Sequence, residues 1–187
     1  MVNGFAGKPT DTRKAVLAIA VGGFIAGTLD LGQALILFST KIPLAIAGGL
    51  LGPQAFRGGT ATYVLGVFLH FFIALSAAAV YFVASRTLRF LTQYALVCGL
   101  FFGAAVDLVM RLIVLPLSAL HARGPYPYAD LVQGLLVHMV TVGLPISFSI
   151  RRFAKLDSDP IPVSREEIAP QREWNASHQS TARSAQP

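Results

Sequence analysis

Five ionisable side chains lie within stretches of the sequence that are otherwise apolar: Asp30, His70, Asp107, Arg111 and His138. Carboxyl and imidazole groups can take up and release protons, and both are also ligands for divalent metal ions. A charge is costly inside a lipid bilayer, so such groups are rare there, and they carry a function or hold helices together. We therefore predict that these five residues form an intramembrane polar cluster.

The composition indicates which environment surrounds these residues. Of the 187 residues, 54% are hydrophobic and only 13% are charged, which is about half the charge of a typical soluble domain. Four apolar segments are each long enough to cross a hydrocarbon layer about 30 Å thick, namely residues 15–38, 63–84, 94–117 and 131–150. The predicted fold class is an all-α, polytopic membrane protein with four transmembrane helices, which excludes a soluble enzyme.

The basic residues that flank the predicted helices indicate their orientation. Four spans place both termini on one side, which carries Lys8, Arg13, Lys14, Arg86, Arg89, Arg151, Arg152 and Lys155, whereas the opposite side carries Lys41, Arg57 and Arg123. The positive-inside rule therefore predicts that both termini are cytoplasmic. Because the net charge of +6 comes from flanking residues and not from a basic patch with interleaved aromatics, the expected partner is the lipid bilayer, and no nucleic acid is expected.

The remaining segments divide the chain into three parts. Residues 1–14 are predicted to be a cytoplasmic N-terminal segment, residues 15–152 the four-helix transmembrane domain, and residues 153–187 a disordered cytoplasmic tail rich in Pro, Ser and Gln. Between the first two helices, residues 41–59 are apolar but too short to span, and glycines and a proline interrupt them. We predict a short re-entrant or interfacial segment there.

The predicted cluster falls at one depth, in the outer half of the bundle. Helical rise places Asp30 and Asp107 about 20 Å from the cytoplasmic edge, and His70 and His138 about 10 Å from the outer edge, of a layer about 30 Å thick. Arg111 follows Asp107 at the i, i+4 spacing, so we expect the two to pair on one helix face.

Glycines precede the acidic and imidazole residues at helical spacing, and therefore share their faces. We predict that these glycines allow close packing of helices within the chain, although the same faces would also allow a homodimer. They are Gly23, Gly27, Gly66, Gly99, Gly103 and Gly134.

Three motifs resemble a known family. They are His70 followed by Tyr81, the run GLFFGAAVDLVMRLIVLPLSAL, and the run QGLLVHMV with SIRRFAK after it. In these the chain resembles the YagU-like inner-membrane proteins, a bacterial family of unknown function, mainly in its C-terminal half. The resemblance implies a multi-pass protein of the bacterial inner membrane, and it brings no reaction with it.

Several functions remain open for the cluster. It would be structural, or it would handle protons or a small solute, because Asp and His groups at mid-bundle depth are typical of proton relays. Alternatively, His70 and His138 would bind a metal ion or clamp a b-type haem in a redox component. A third alternative is an assembly or interaction partner in the membrane. No catalytic residue is predicted, and no cofactor is expected under the first interpretation.

Overall fold

The computed structural model describes residues 12–158, and that part of the chain is helical, with no strand. Its α-helices are α1 (Thr12–Leu37), α2 (Ile42–Leu51), α3 (Thr60–Thr87), α4 (Phe90–Gln93), α5 (Ala95–Val109), α6 (Leu115–Leu117), α7 (Tyr128–His138) and α8 (Leu144–Ser158). A 3₁₀ turn follows α2 at Pro53–Arg57, and π-helical turns join α5 to α6 at Met110–Val114 and α7 to α8 at Met139–Gly143.

Within these residues, four helices are long and apolar enough to cross a membrane, which confirms the predicted fold class. Span 1 is α1, span 2 is α3, span 3 is Ala95–Leu117 and span 4 is Tyr128–Phe153. The observed helices begin or end a few residues outside most of the predicted bounds, because helical geometry continues through the polar flanks of an apolar run. Helix α8 continues to Ser158, so the first residues of the predicted tail are helical. Residues 159–187 of that predicted tail, and residues 1–11, lie outside the described part.

The outside of the bundle is apolar. Large side chains such as Phe24, Phe68, Phe101 and Leu112 are 61%, 65%, 73% and 70% exposed, respectively. A soluble protein rarely exposes apolar surface on this scale, whereas lipid solvates it. The structure is therefore that of a multi-pass membrane protein.

The four spans contact one another in the order 2, 1, 4 and 3. Span 1 packs against span 2 and span 4, and span 4 packs against span 3. The backbones of spans 2 and 3 approach each other closely at few points, but the rings of Tyr81 and Phe102 meet edge to face, with 4.8 Å between their centroids. Helix α2 lies against span 2 and covers one end of the bundle, which we call the α2 end.

Both π-helical turns have a proline just beyond them. Each turn ends two residues before a proline, Pro116 in span 3 and Pro145 in span 4. A proline inside a helix lacks the N–H that would bond to the carbonyl one turn earlier, and its ring clashes with that carbonyl. A π turn widens the helix at that point. The turn in span 3 contains Arg111, and the turn in span 4 begins directly after His138.

Candidate functional site

The predicted polar residues come together inside the bundle as two adjacent groups, one around each carboxylate. The first, the Asp107 group, consists of Asp107, Arg111 and His138. Asp107 is 3% exposed, and Arg111 Nε donates hydrogen bonds to Oδ2 at 2.9 Å and to Oδ1 at 3.1 Å. His138 Nδ1 lies 3.3 Å from Asp107 Oδ1. Asp107 is therefore paired with a full positive charge and an imidazole.

Arg111 is itself held at the far end of its side chain. Its Nη2 donates to the carbonyl oxygen of Asp130 at 3.2 Å, and its guanidinium carbon lies 5.5 Å from the centre of the Tyr126 ring. A guanidinium over an aromatic face gains further stabilisation from the ring electrons. The Asp107 group thus links span 3 to span 4 and to the loop that precedes span 4.

The tautomer of His138 follows from its second contact. Nδ1 also lies 2.9 Å from the carbonyl oxygen of Gly134, and a carbonyl oxygen can only accept a hydrogen bond. Nδ1 must therefore carry the proton and donate it to Gly134, with Asp107 Oδ1 close by. In a neutral ring, Nε2 is then an acceptor.

The second group, the Asp30 group, consists of Asp30, His70 and Thr141. Asp30 is 9% exposed, Thr141 Oγ1 lies 3.1 Å from its Oδ1, and His70 Nε2 lies 3.9 Å from its Oδ2. The last distance is too long for a hydrogen bond. His70 Nε2 instead donates to the carbonyl oxygen of Gly27 at 3.0 Å, which leaves Nδ1 as the acceptor nitrogen. Among residues 12–153, whose side chains the structure describes, no lysine or arginine forms a salt bridge with Asp30.

Thr141 was missed by sequence reasoning. It lies three residues after His138 on span 4, and therefore near the same face, and it links span 4 to Asp30 of span 1. Its hydroxyl is also 2.9 Å from the carbonyl oxygen of Val137. One hydroxyl has one proton to donate, so Thr141 can satisfy only one of these two oxygens at a time. The spacing of Thr141 from His138 could have indicated that it belongs to the cluster. Because threonine is common in membrane helices, that spacing alone did not distinguish it.

The predicted glycines lie where neighbouring elements come closest. Gly134 faces Arg111 and Asp107, so a larger residue there would displace the guanidinium. The others lie so close to span 2, α2 or span 4 that an added Cβ atom would have no room. A Cβ atom added at Gly32 would instead have no atom of a neighbouring element within 4 Å. The contacts are Gly23 with Leu75, Gly27 with Phe71, Gly66 with Pro43, Gly99 with Ser147, and Gly103 with His138 and Met139.

A cavity of about 770 Å³ adjoins both groups. Its walls come from spans 2 and 3, its back from spans 1 and 4, and its cover from α2 and the segment after α6. The cover is fastened by a hydrogen bond from the Ala119 N–H to the Gly49 carbonyl oxygen at 2.8 Å. The lining is apolar apart from Ser118 and three ionisable residues: Asp30, His70 and His138.

The donor set for a metal ion is incomplete in the described region. No three His, Cys, Asp or Glu side chains among residues 12–158 converge on a common point. Each imidazole also has one nitrogen bonded to a backbone carbonyl. We therefore assign no metal site to His70 and His138.

Comparison of the chain with protein-family models, with curated proteins and with solved structures finds no match in any of the three. Function therefore has to be argued from the geometry of the two groups and the cavity.

Proposed function

We propose that this chain is a proton-handling membrane protein in which the Asp30 group takes up and releases a proton inside the membrane, while the Asp107 group holds spans 3 and 4 in register. The observation that supports this division is the difference between the two carboxylates. Asp107 has Arg111 at 2.9 Å, whereas Asp30 has only an imidazole at 3.9 Å and a hydroxyl.

Charge neutrality explains why this difference points to a proton. An uncompensated charge in a low-dielectric interior is strongly unfavourable, and a buried group neutralises rather than remaining charged alone. The Asp107–Arg111 pair is neutral without any exchangeable proton. Asp30 and His70 are neutral as a pair only when they share one proton, on the carboxyl or on the imidazole. That proton is the part of the cluster that can leave and return.

The hydroxyl of Thr141 can adapt to both states of this proton. When Asp30 is ionised, the hydroxyl donates to the carboxylate at 3.1 Å. When the Asp30 carboxyl carries the proton, the hydroxyl can donate to the Val137 carbonyl at 2.9 Å and accept from the carboxyl. Asp30 therefore has a hydrogen-bond partner before and after the proton moves. The other ionisable group nearby, His138, faces the same cavity from span 4.

Proton movement in proteoliposomes tests the proposal. Purified protein is reconstituted with a pH-sensitive dye inside the vesicles, and potassium with valinomycin sets the membrane potential. We expect wild-type vesicles to change internal pH faster than empty vesicles, and the Asp30→Asn variant to behave as empty vesicles do. Asp130→Asn, which removes an exposed carboxylate, is the matched control and should retain the flux. Equal rates for wild type, Asp30→Asn and empty vesicles would overturn the proposal and leave the cluster a purely structural role.

The orientation of the chain is a separate part of the proposal. We propose that it lies in a bacterial inner membrane with both termini in the cytoplasm, as a member of the YagU-like proteins that its motifs resemble. The excess of basic residues on the terminal side supports this orientation. A reporter fused after residue 155 should be active only if it is a cytoplasmic reporter. Activity of a periplasmic reporter at that position would contradict the orientation.

A further inference from the structure

We infer that the cavity is a binding site for a lipophilic amine in its ammonium form, which reaches the Asp30 group sideways from the membrane between spans 2 and 3. This binding role rests on the proposed proton exchange, because the ammonium would take the place of the shared proton beside Asp30. It adds a ligand class and a route to that proposal.

The route follows from how the cavity is closed. Spans 2 and 3 form its two walls, and their backbones approach each other closely at few points, so we place the entrance between them. Tyr81 and Phe102 narrow the gap away from the α2 end, and α2 covers the other side. The span 3 wall contains Ile113, Val114 and Leu117, which are 51%, 37% and 79% exposed. A membrane-dissolved molecule would therefore pass an apolar rim before it met a polar atom.

Once the shared proton has left, the ionisable residues inside the cavity present acceptor atoms. His70 and His138 each use their protonated nitrogen on a backbone carbonyl, so the second nitrogen of each neutral ring can only accept. Asp30 adds a carboxylate. Among the described residues that line the cavity, none is lysine or arginine. The cavity thus favours a headgroup that donates hydrogen bonds and carries positive charge, and it disfavours a carboxylate or phosphate.

The apolar part of the cavity determines the polarity and the size of the rest of the ligand. Its other lining residues are almost entirely apolar, and its volume of about 770 Å³ lies within the range of about 300–1,000 Å³ for small-molecule sites. A compact hydrocarbon body attached to an ammonium group matches this distribution. The hydrocarbon would replace lipid contacts along the walls while the ammonium approached Asp30.

Competition with the proton follows from neutrality. The Asp30–His70 pair without its proton has a net negative charge, which an ammonium cancels. With the proton in place, an ammonium would leave the site with an uncompensated positive charge. Binding of one ammonium should therefore release close to one proton. The groups that face Asp30 from the neighbouring spans, His70 and Thr141, remain in place in both states, and His138 keeps its hydrogen bond to the Gly134 carbonyl.

Binding of 1-adamantylamine to the full chain in lipid nanodiscs tests the inference, with adamantane-1-carboxylate as a probe that has the same apolar body and the opposite charge. Equilibrium dialysis against empty nanodiscs measures binding, and proton release is measured in weakly buffered solution. We expect saturable binding of one amine per chain with release of close to one proton, and no saturable binding of the carboxylate. Asp30→Asn should weaken amine binding by at least about tenfold, equivalent to ~1.4 kcal/mol.

A second pair of variants separates loss of the site from loss of the fold. Ala77 lines the cavity and Ala105 is exposed on span 3. Ala77→Phe fills the cavity without changing any ionisable group and should abolish binding, whereas Ala105→Phe should bind as wild type does.

Equal binding of the amine and the carboxylate would indicate that the cavity recognises only apolar bodies or acyl chains, and would overturn the inference. Saturable amine binding that persists in Ala77→Phe would also overturn it. Absence of amine binding alongside Asp30-dependent proton flux would overturn the ligand class and leave the proposed function standing. Amine binding that Asp30→Asn weakens, without proton flux in proteoliposomes, would support the site and overturn the proposed function.

Discussion

Replacement of Arg111 by methionine should destabilise the protein strongly, because it leaves the carboxylate of Asp107 buried without its positive partner. Arg111 donates two charge-assisted hydrogen bonds to Asp107 at 2.9 and 3.1 Å. The Asp107 residue is 3% exposed, so little solvent is available to replace them. Methionine keeps an unbranched apolar stem of similar shape, so the change mainly removes charge and hydrogen bonding.

The size of the effect follows from two limits. Breaking a buried ion pair by removing one partner costs about 3–5 kcal/mol. The carboxyl can escape the unpaired charge by taking up a proton, and protonating an ordinary aspartate at neutral pH costs about 4 kcal/mol. We therefore expect Arg111→Met to lower the free energy of unfolding by about 3–4 kcal/mol at neutral pH.

Unfolding by sodium dodecyl sulfate in mixed micelles, followed by circular dichroism, measures these free energies. Arg57→Met, which changes an exposed arginine in the 3₁₀ turn, is the matched control and should change stability by less than about 0.5 kcal/mol. The double variant Asp107→Leu/Arg111→Met should recover most of the loss, because apolar residues often replace a buried ion pair without net cost. A loss below about 1 kcal/mol for Arg111→Met, or no recovery in the double variant, would refute the assignment of Arg111 as the neutralising partner.

Three further changes test the packing and the hydroxyl link. Gly103→Ala should destabilise the protein by about 2 kcal/mol in the same unfolding assay, because its Cβ would meet the backbone of span 4. Gly32→Ala is the control and should leave stability unchanged, because a Cβ there has open space around it. Equal effects of the two variants would contradict the close approach at Gly103. Ser149→Ala removes a buried hydrogen bond to a span 1 carbonyl at 3.0 Å and should lower the free energy of unfolding by about 1 kcal/mol. Ser76→Ala, at an exposed position, should lower it by less. A larger effect of Ser76→Ala would be inconsistent with the contact between spans 1 and 4. Thr141→Val should slow proton flux in proteoliposomes with a loss of stability near 1 kcal/mol, and unchanged flux would exclude the hydroxyl as part of the proton site.

The fold and the presence of a buried polar cluster could be predicted from sequence because both depend on properties of single helices. Apolar length sets the number of spans, and the position of a polar residue along an apolar span indicates that it lies inside the bundle. The pairing of Asp107 with Arg111 was also predictable, since i, i+4 residues on one helix meet whatever the helix packs against.

The partners across helices could not be predicted in this way. Whether His138 turns towards Asp107 or towards Asp30 depends on the rotation of span 4 about its axis, and that rotation is set by packing with spans 1 and 3. The glycine spacing showed which face of each helix allows close packing, but not which element packs there. Gly66, for example, meets Pro43 of α2 rather than another span. The cavity between spans 2 and 3 depends on how all four spans pack together, so no local pattern in the sequence reveals it.

The exchangeable proton of Asp30 and His70 is tested most directly by difference infrared spectroscopy of the reconstituted protein between about pH 5 and about pH 8, the range in which imidazole groups commonly titrate. We expect carboxyl or imidazole bands that change with pH in wild type and disappear from the difference spectrum of Asp30→Asn, while Asp130→Asn loses only the bands of an exposed carboxylate. Identical difference spectra for wild type and Asp30→Asn would show that this pair exchanges no proton in that range, and would contradict the proposed role of the Asp30 group.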